Sequence, residues 1–334
     1  MRPTFFPKLV NGPLGDPALY VGFLHRRRAL LFDAGELHAS ATRKLLKISH
    51  LFISHAHMDH FIGFDHLVRL MLGRPKRLKV FGPAPLINQI ASRLASYSWN
   101  LVGRYSERLV LEVTQLKEGF LERAVLDCRE GFQEPASIEV EPFDGWLSRE
   151  DTYGIRATLL DHRIDSMAFC LEEPIHLQVL KGRLKPMGLA VGPWLTDLKE
   201  AIIRREEDEA PVNVTPADRG PIPLGWLRKH LICVMPGQRI GYVVDVAYSR
   251  ENHARIVSLI KGVDLLFIEA AFLNEDRRKA GATAHLTAYQ AGRIAAEAGV
   301  KKVIPFHFSP KYSPNGESVA YEVQETFKNF TLRN

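Results

Sequence analysis

Ser54-His55-Ala56-His57-Met58-Asp59-His60 is the stretch that decides the fold. Three imidazoles and a carboxylate fall within six residues, directly behind the apolar run Leu51-Phe52-Ile53. A chain that leaves a buried strand for a tight loop can aim His55 and His57 at one point. Asp59 and His60 can then turn toward a second. Imidazole nitrogen and carboxylate oxygen are donors that borderline ions such as zinc accept readily. The bland alternative is a surface loop incidentally rich in histidine.

Working outward, residues 19–24 and 29–33 read as strands joined by the basic turn His25-Arg26-Arg27-Arg28. The second ends at Asp33-Ala34-Gly35, and a short helix is expected over 42–47. A strand at 78–81 stops at Gly82-Pro83, and a helix follows to about Tyr97. This alternation predicts a layered α/β architecture with its ligands on loops beyond strand ends. From about 104 to 160 the chain reads as β-rich with helical pieces, closing in a strand at 155–160. Residues 172–238 change character, with many prolines, several glycines and a charged helix around 197–209. We expect them to form an inserted arm or appendage within one domain spanning 1–334, with residues 206–209 as a solvated helix end. Strand-like runs return at 241–246, 264–268 and 302–306, with a helix at 286–298.

Apolar residues make up 46% and charged residues 25% of the 334, which is ordinary globular chemistry and excludes extensive disorder. The net charge of +6 suits a polyanionic partner without demanding one. Basic candidates for a nucleic-acid backbone are the 25–28 turn, Arg74 with Lys76 and Arg77, and Lys181 with Arg183 and Lys185. Each cluster taken alone is more often a solvated surface. Cys128, Cys170 and Cys233 form no C-x-x-C pair, so neither a thiolate zinc site nor a disulfide framework is suggested. The opening Met1-Arg2-Pro3-Thr4-Phe5-Phe6-Pro7 lacks the apolar core of a signal peptide. No apolar run approaches the roughly 18 residues that span a bilayer. A cytoplasmic protein with no membrane partner is expected.

The H-x-H-x-D-H spacing of residues 55–60 resembles, letter for letter, the signature of the metallo-β-lactamase superfamily. That resemblance implies an αββα sandwich and two divalent metal ions. Zinc is the expected metal, with manganese or iron compatible with the same ligands. Three further ligands are implied at strand ends: His162 after Leu160-Asp161, Asp245 after residues 240–244, and His307 after Ile304-Pro305-Phe306. Taken alone, a strand-end histidine is more often structural than ligating. By the family pattern His55, His57 and His162 hold one ion, Asp59, His60 and His307 the other, and Asp245 bridges. Two such ions, roughly 3.5–4 Å apart, bring the pKa of a shared water toward ~7. Asp59 is placed to orient that water's attack as hydroxide.

Three segments resemble one branch of the superfamily, ribonuclease Z, which trims the 3′ end of precursor tRNA. Residues 268–272, followed by 284–287, look like its paired glutamate and histidine motifs and make Glu269 and His285 catalytic candidates. Residues 306–312 are close to its last-histidine segment and nominate Ser309 and Lys311 for substrate binding. Gly192-Pro193, followed by Leu198-Lys199, is similar to the stretch found in its tRNA-binding insertion. The resemblance implies that His285 protonates the leaving oxygen while Glu269 fixes its tautomer; the bland alternative is a buried structural pair. It also implies an RNA substrate and a homodimer. Departures are Val244 and Val246 around Asp245, Ala271 where threonine is usual, and Lys311 where arginine is common. The alternative on the same scaffold is a small-molecule metallo-hydrolase, either a cyclic-nucleotide phosphodiesterase or a lactonase. A third class, a catalytically idle metal-stabilised binding protein, fits poorly with a complete ligand set.

Overall fold

The computed structural model describes residues 3–24, 27–133, 135, 137–314 and 316–332. His25 and Arg26 of the basic turn lie outside them. The first sheet is laid down in chain order as β1 (Phe5–Leu9), β2 (Leu19–Phe23), β3 (Ala29–Phe32), β4 (Ile48–Phe52), β5 (Lys76–Pro83), β6 (Leu109–Lys117), β7 (Phe120–Asp127) and β8 (Glu139–Pro142). Strands β1 to β3 meander antiparallel, β3 to β6 run parallel, and β6 to β8 meander again. Parallel neighbours need crossovers, and each one here carries helix. Helix α1 (Thr42–Leu45) precedes β4, α2 (Met58–Phe61) and α3 (Phe64–Met71) precede β5, and α4 (Leu86–Ala95) precedes β6. Phe64, Leu67, Val68 and Met71 recur at helical spacing on α3, as Leu86, Ile87, Ile90 and Leu94 do on α4. All are buried in one core with Leu31, Leu51, Leu78, Val80 and Leu111 of the sheet.

A second sheet begins with β9 (Trp146–Glu150), β10 (Tyr153–Asp161) and β11 (Asp165–Glu172). The chain then detours through β12 (Ile175–Val179), α5 (Trp194–Ile203), β13 (Pro211–Val212), β14 (Ile222–Pro223), α6 (Leu224–Leu231) and β15 (Ile232–Pro236). It returns with β16 (Arg239–Val243), α7 (Arg250–Leu259), β17 (Leu265–Glu269), α8 (Arg277–Thr283), α9 (Ala288–Glu297), β18 (Val303–Phe306) and α10 (Glu317–Thr331). The second sheet runs β18-β17-β16-β11-β10-β9, with β16, β17 and β18 mutually parallel. Helices α7, α9 and α10 share a core with it through Ile256, Leu259, Ile294, Val319 and Val323.

Between the sheets lies an aromatic layer. Phe32 of the first sheet meets Phe169 and Tyr242 of the second at 5.6 Å between ring centroids, and Phe52 meets Phe169 at 5.7 Å. Helices, sheet, sheet, helices make the αββα sandwich.

Backbone packing divides the chain into two units. The larger comprises Phe5–Leu147, Ile155–Cys170 and Arg239–Asn334; the smaller is Leu171–Gln238 with Met1–Thr4 and Ser148–Gly154. The smaller unit has a core of its own, including Leu177, Leu184, Trp194, Leu198, Leu227 and Leu231. Strands β12 and β15 form an antiparallel ribbon in it. One expectation is corrected here. Helix α5 starts directly after Pro193 and stops at Ile203, so residues 206–209 follow the helix in turns instead of ending it. Arg205 adopts a left-handed φ of 57°, which stops the helix. Carboxylates gathered at a helix C-terminus would also oppose the negative end of its dipole. Asp208 instead pairs with Arg228 at 2.9 Å. Among the described residues, no helix is long and apolar enough to cross a membrane.

Candidate metal centre

Strand β3 delivers Asp33, fully buried and in the left-handed region at φ 54°. Its carboxylate accepts from Ser54 N–H at 2.7 Å, Ser54 Oγ–H at 2.8 Å and Tyr242 Oη–H at 2.8 Å, and faces His60 Nδ1 at 2.9 Å. With Ser54 and Tyr242 donating to the same carboxylate, His60 Nδ1–H joins them as a donor and Nε2 is left for the centre. Burial and then Asp33 hold the Tyr242 phenol well above its usual value, so it stays a donor. The loop that follows β4 is pressed close to the backbone beyond β3. A Cβ on Gly63 would lie 2.1 Å from the Gly35 carbonyl oxygen, and one on Gly35 would lie 2.7 Å from that of Asp59.

Asp245, beyond β16, and His307, beyond β18, also take positive φ, at 40° and 59°. Strained backbone of this kind gathers at functional sites, at a cost of order 1–3 kcal/mol each. Asp245 Oδ2 lies 3.5 Å from His55 Nε2, 3.4 Å from His60 Nε2 and 3.6 Å from His162 Nε2. Its Oδ1 lies 3.0 Å from His307 Nδ1. Asp59 Oδ2 is 3.4 Å from His60 Nε2 and 3.3 Å from His307 Nε2. His162 Nδ1 donates to the Ala284 carbonyl at 2.9 Å, leaving Nε2 to face Asp245. His55, His57, His162 and Asp245 bring ligand atoms within 4.8 Å of one another, and so do Asp59, His60 and His307. All seven side chains expected from the sequence therefore converge.

The protonation of this cluster suits cations. Burial, then the charge of His60, pushes His55 down to about 2, and burial with His162 lowers His57. Burial opposes ionisation of Asp59, but His307 and His60 hold its carboxyl below the usual range. Asp245 is likewise held low against burial, by His307 and His60. Burial also opposes a charge on His60, yet Asp245 and Asp33 draw it well above its ordinary value. The pull those carboxylates exert on a proton is available to a cation. Four buried atoms (His55 Nε2, His60 Nε2, Asp245 Oδ1 and His307 Nδ1) have no well-aligned hydrogen-bond partner among the described residues. Leaving each unmet costs about 1–3 kcal/mol. Imidazoles and carboxylates aimed at common points, with orphaned atoms among them, fit divalent cations.

Beside the cluster, buried Glu269 accepts from Val246 N–H at 2.8 Å through Oε1 and lies 3.0 Å from His285 Nδ1 through Oε2. Burial opposes a charge on His285, but Glu269, their shared hydrogen bond and Asp245 outweigh it and push the imidazole up to about 9. His285, Asp59 and His307 line an open cleft of about 260 Å³ together with Asp16, Phe272 and Ser309. Lys311 is instead paired with Asp276 at 2.6 Å. Gly192 and Pro193 sit in the smaller unit at the start of α5. Several basic candidates are engaged locally. Lys76 Nζ donates to the Leu46 carbonyl at 2.6 Å, Arg77 pairs with Glu112, and Arg183 reaches the His230 carbonyl at 3.0 Å. Asp33 and Tyr242 are site residues that the sequence alone does not single out. The one signal was the abrupt strand end at Asp33-Ala34-Gly35.

This αββα sandwich, with five histidines and two aspartates gathered beyond its strands, has the metallo-β-lactamase fold and a donor set suited to metal ions. A beta-lactamase superfamily domain matches residues 209–308, the span that carries Asp245, Glu269, His285 and His307. More particularly, the sequence resembles ribonuclease Z. It is 29% identical to ribonuclease Z of Deinococcus radiodurans over 287 residues, covering 85% of this chain and 83% of that one. It is 29% identical to ribonuclease Z of Thermobifida fusca over 297 residues, covering 86% and 77%. Two of the solved structures that share the fold illustrate the likeness. They are the metallo-β-lactamase fold protein YhfI of Bacillus subtilis (TM-score 0.54, 14% identity, 96% and 92% covered) and the short form of human tRNase Z (0.50, 18%, 92% and 93%).

Proposed function

We propose that this chain is a ribonuclease Z-like endonuclease that removes the 3′ trailer of precursor tRNA, acting in the cytosol as a homodimer with two zinc ions. The observation that carries the reading is the opening of Asp59, His307 and the Glu269-held His285 onto one cleft. The donor set alone supports hydrolysis of many esters. The likeness to the ribonucleases Z over 85% of the chain narrows the substrate to RNA. Residues 172–238 are then an inserted arm, with Lys181, Lys185 and the Gly192-Pro193 turn available to the RNA.

His55, His57 and His162 would hold one ion, Asp59, His60 and His307 the other, with Asp245 shared. When bound, such a pair neutralises charge on the phosphoryl group and makes a water acidic enough to react near neutral pH. Asp59, ionised and half-exposed in the cleft, accepts a hydrogen bond from the attacking water and orients it. As the bond between phosphorus and the 3′ oxygen breaks, its electron pair stays on that oxygen, which takes a proton from His285 Nε2. The water's oxygen remains on phosphorus with one of its protons, and the other passes by way of Asp59 to solvent. Glu269 keeps the His285 Nδ1–H in place and balances the imidazolium. An alkoxide is a poor leaving group, so this proton transfer carries much of the rate.

The test is cleavage of a 3′-extended precursor tRNA by the zinc-loaded protein, with bis(4-nitrophenyl) phosphate as control. We expect a single cut near the 3′ end, and a KM that rises steeply with salt as phosphate contacts are screened. Hydrolysis of the simple diester alone overturns the RNA reading and moves the substrate to a small phosphodiester. Val244, Val246 and Ala271 are then the first residues to examine.

A further inference from the structure

His285 hangs from α8 by one residue. Ala284 lies in the left-handed region at φ 59°, and the His285 N–H returns to the Ala280 carbonyl at 2.9 Å. An L-residue in that region is disfavoured, and besides the cap's own backbone bonds to Ala280 and Gly281 the turn is held from outside. Two neighbours beyond β10 hold it. His162 Nδ1–H donates to the Ala284 carbonyl at 2.9 Å. Arg163 Nη2 donates to the Ala282 carbonyl at 2.7 Å and reaches that of Gly281 at 3.4 Å. The last carbonyls of a helix have no intrahelical donors and carry partial negative charge, and α8 has no basic residue in its own last turn. Arg163 supplies the missing cation from a remote loop. Its own backbone is wound for the purpose, with φ 63° and its N–H bonded to Asp161 Oδ1 at 2.7 Å.

We infer that Arg163 is a positioning residue for His285: by locking the last turn of α8 it sets where the imidazole meets the leaving oxygen. This rests on the reading of His285 as the acid in the proposed reaction. Glu269 fixes one ring nitrogen only; the backbone that carries the ring is fixed by Arg163 and His162. Without the guanidinium, the Glu269 bond can persist while Nε2 drifts. A misplacement of ~1 Å can cost up to ~100-fold in rate.

The experiment compares Arg163→Ala, Arg163→Lys and His285→Ala in the zinc-loaded protein on two substrates. Precursor tRNA leaves as an alkoxide and needs a proton, whereas bis(4-nitrophenyl) phosphate releases a phenolate that does not. Arg163→Ala is expected to lower kcat on the tRNA about tenfold with little change in KM. Its loss on the activated diester should be several times smaller, and its zinc content should match the parent's. Arg163→Lys should recover most of the ratio between the two substrates. An equal loss on both substrates, or loss of zinc, makes Arg163 a general support of the fold and overturns the inference. A rise in KM confined to the tRNA makes it an RNA contact and overturns it equally. If His285→Ala moves the ratio and Arg163→Ala does not, the inference fails while the proposed function stands. If His285→Ala leaves the ratio in place, the acid role itself is wrong and the inference falls with it.

Discussion

Behind the histidine loop, one buried carboxylate ties together Ser54, His60 and Tyr242, residues drawn from both sheets. Asp33 fixes the tautomer of His60 and the start of the loop that carries His55 and His57. Asp33→Asn keeps the size of the side chain but turns one acceptor into a donor. Facing Ser54, Tyr242 and His60, that amide group meets other donors. We expect zinc affinity to fall about 10–100-fold, the usual effect of removing the hydrogen-bond partner of a ligand. Competition with a chromogenic chelator measures it, and parental affinity in the variant would contradict the role. Residues 55–60 were legible because few other functions explain that concentration of metal donors. Asp33 was not, since an aspartate ending a strand is commonplace and its partners lie at positions 54, 60 and 242. Arg163 was illegible for the same reason: its targets, Gly281 and Ala282, are distant in sequence.

Among elements, α2 and the loop before it depend on close backbone approach to the segment after β3. The Gly63 N–H donates to the Ala34 carbonyl at 2.8 Å, and the Ala34 N–H to the His60 carbonyl at 2.8 Å. Gly63→Ala would set a methyl 2.1 Å from one carbonyl oxygen and 3.0 Å from another, neither of them a flexible side-chain end. Overpacking of this kind costs about 1–3 kcal/mol. We expect a loss near the upper end in urea unfolding, with weakened zinc binding because the displaced segment carries Asp59 and His60. An unshifted urea midpoint would mean that the loop yields freely. Strands β2, β3, β5, β10, β16, β17 and β18 all overlap the strand-like runs of the sequence, since a buried strand announces itself as a short apolar block. The β6–β7 hairpin did not. Its two-residue turn is Glu118-Gly119, with φ of 50° and 84°, in place of the Asn-Gly or Asp-Gly that signals such turns. Helix α5 begins at Trp194, ahead of the charged stretch expected to form it, because Pro193 sets its start.

At the scale of the whole molecule, composition gave little beyond a mildly basic globular chain, because +6 spread over 334 residues names no partner. Stability as a function of pH says more, since the strongest electrostatic couplings sit in the centre. His285, held up at about 9, and His60, held well above its ordinary value, contribute stability that is complete below the unfolded imidazole value of ~6.5. That contribution is lost as pH rises through the folded values. His55 and His57, both depressed, subtract stability below ~6.5 and are silent above it. Asp59 and Asp245, both held low, contribute above ~4 and stay constant through neutrality. Chelator-treated protein should therefore lose stability between pH 6.5 and 9, at ~1.4 kcal/mol per unit for each raised group. Zinc offsets part of that slope. The ion must displace the proton that Asp245 and Asp33 draw to His60, so affinity for the folded chain builds as pH rises toward that raised value. At a free ion concentration of about 1,000 Kd the ion adds ~4 kcal/mol. Calorimetric unfolding temperatures should fall with pH in chelator, and lie higher and fall less steeply in zinc across the same range. Parallel curves would mean that the converging imidazoles do not bind the ion, and the proposed chemistry would lose its foundation.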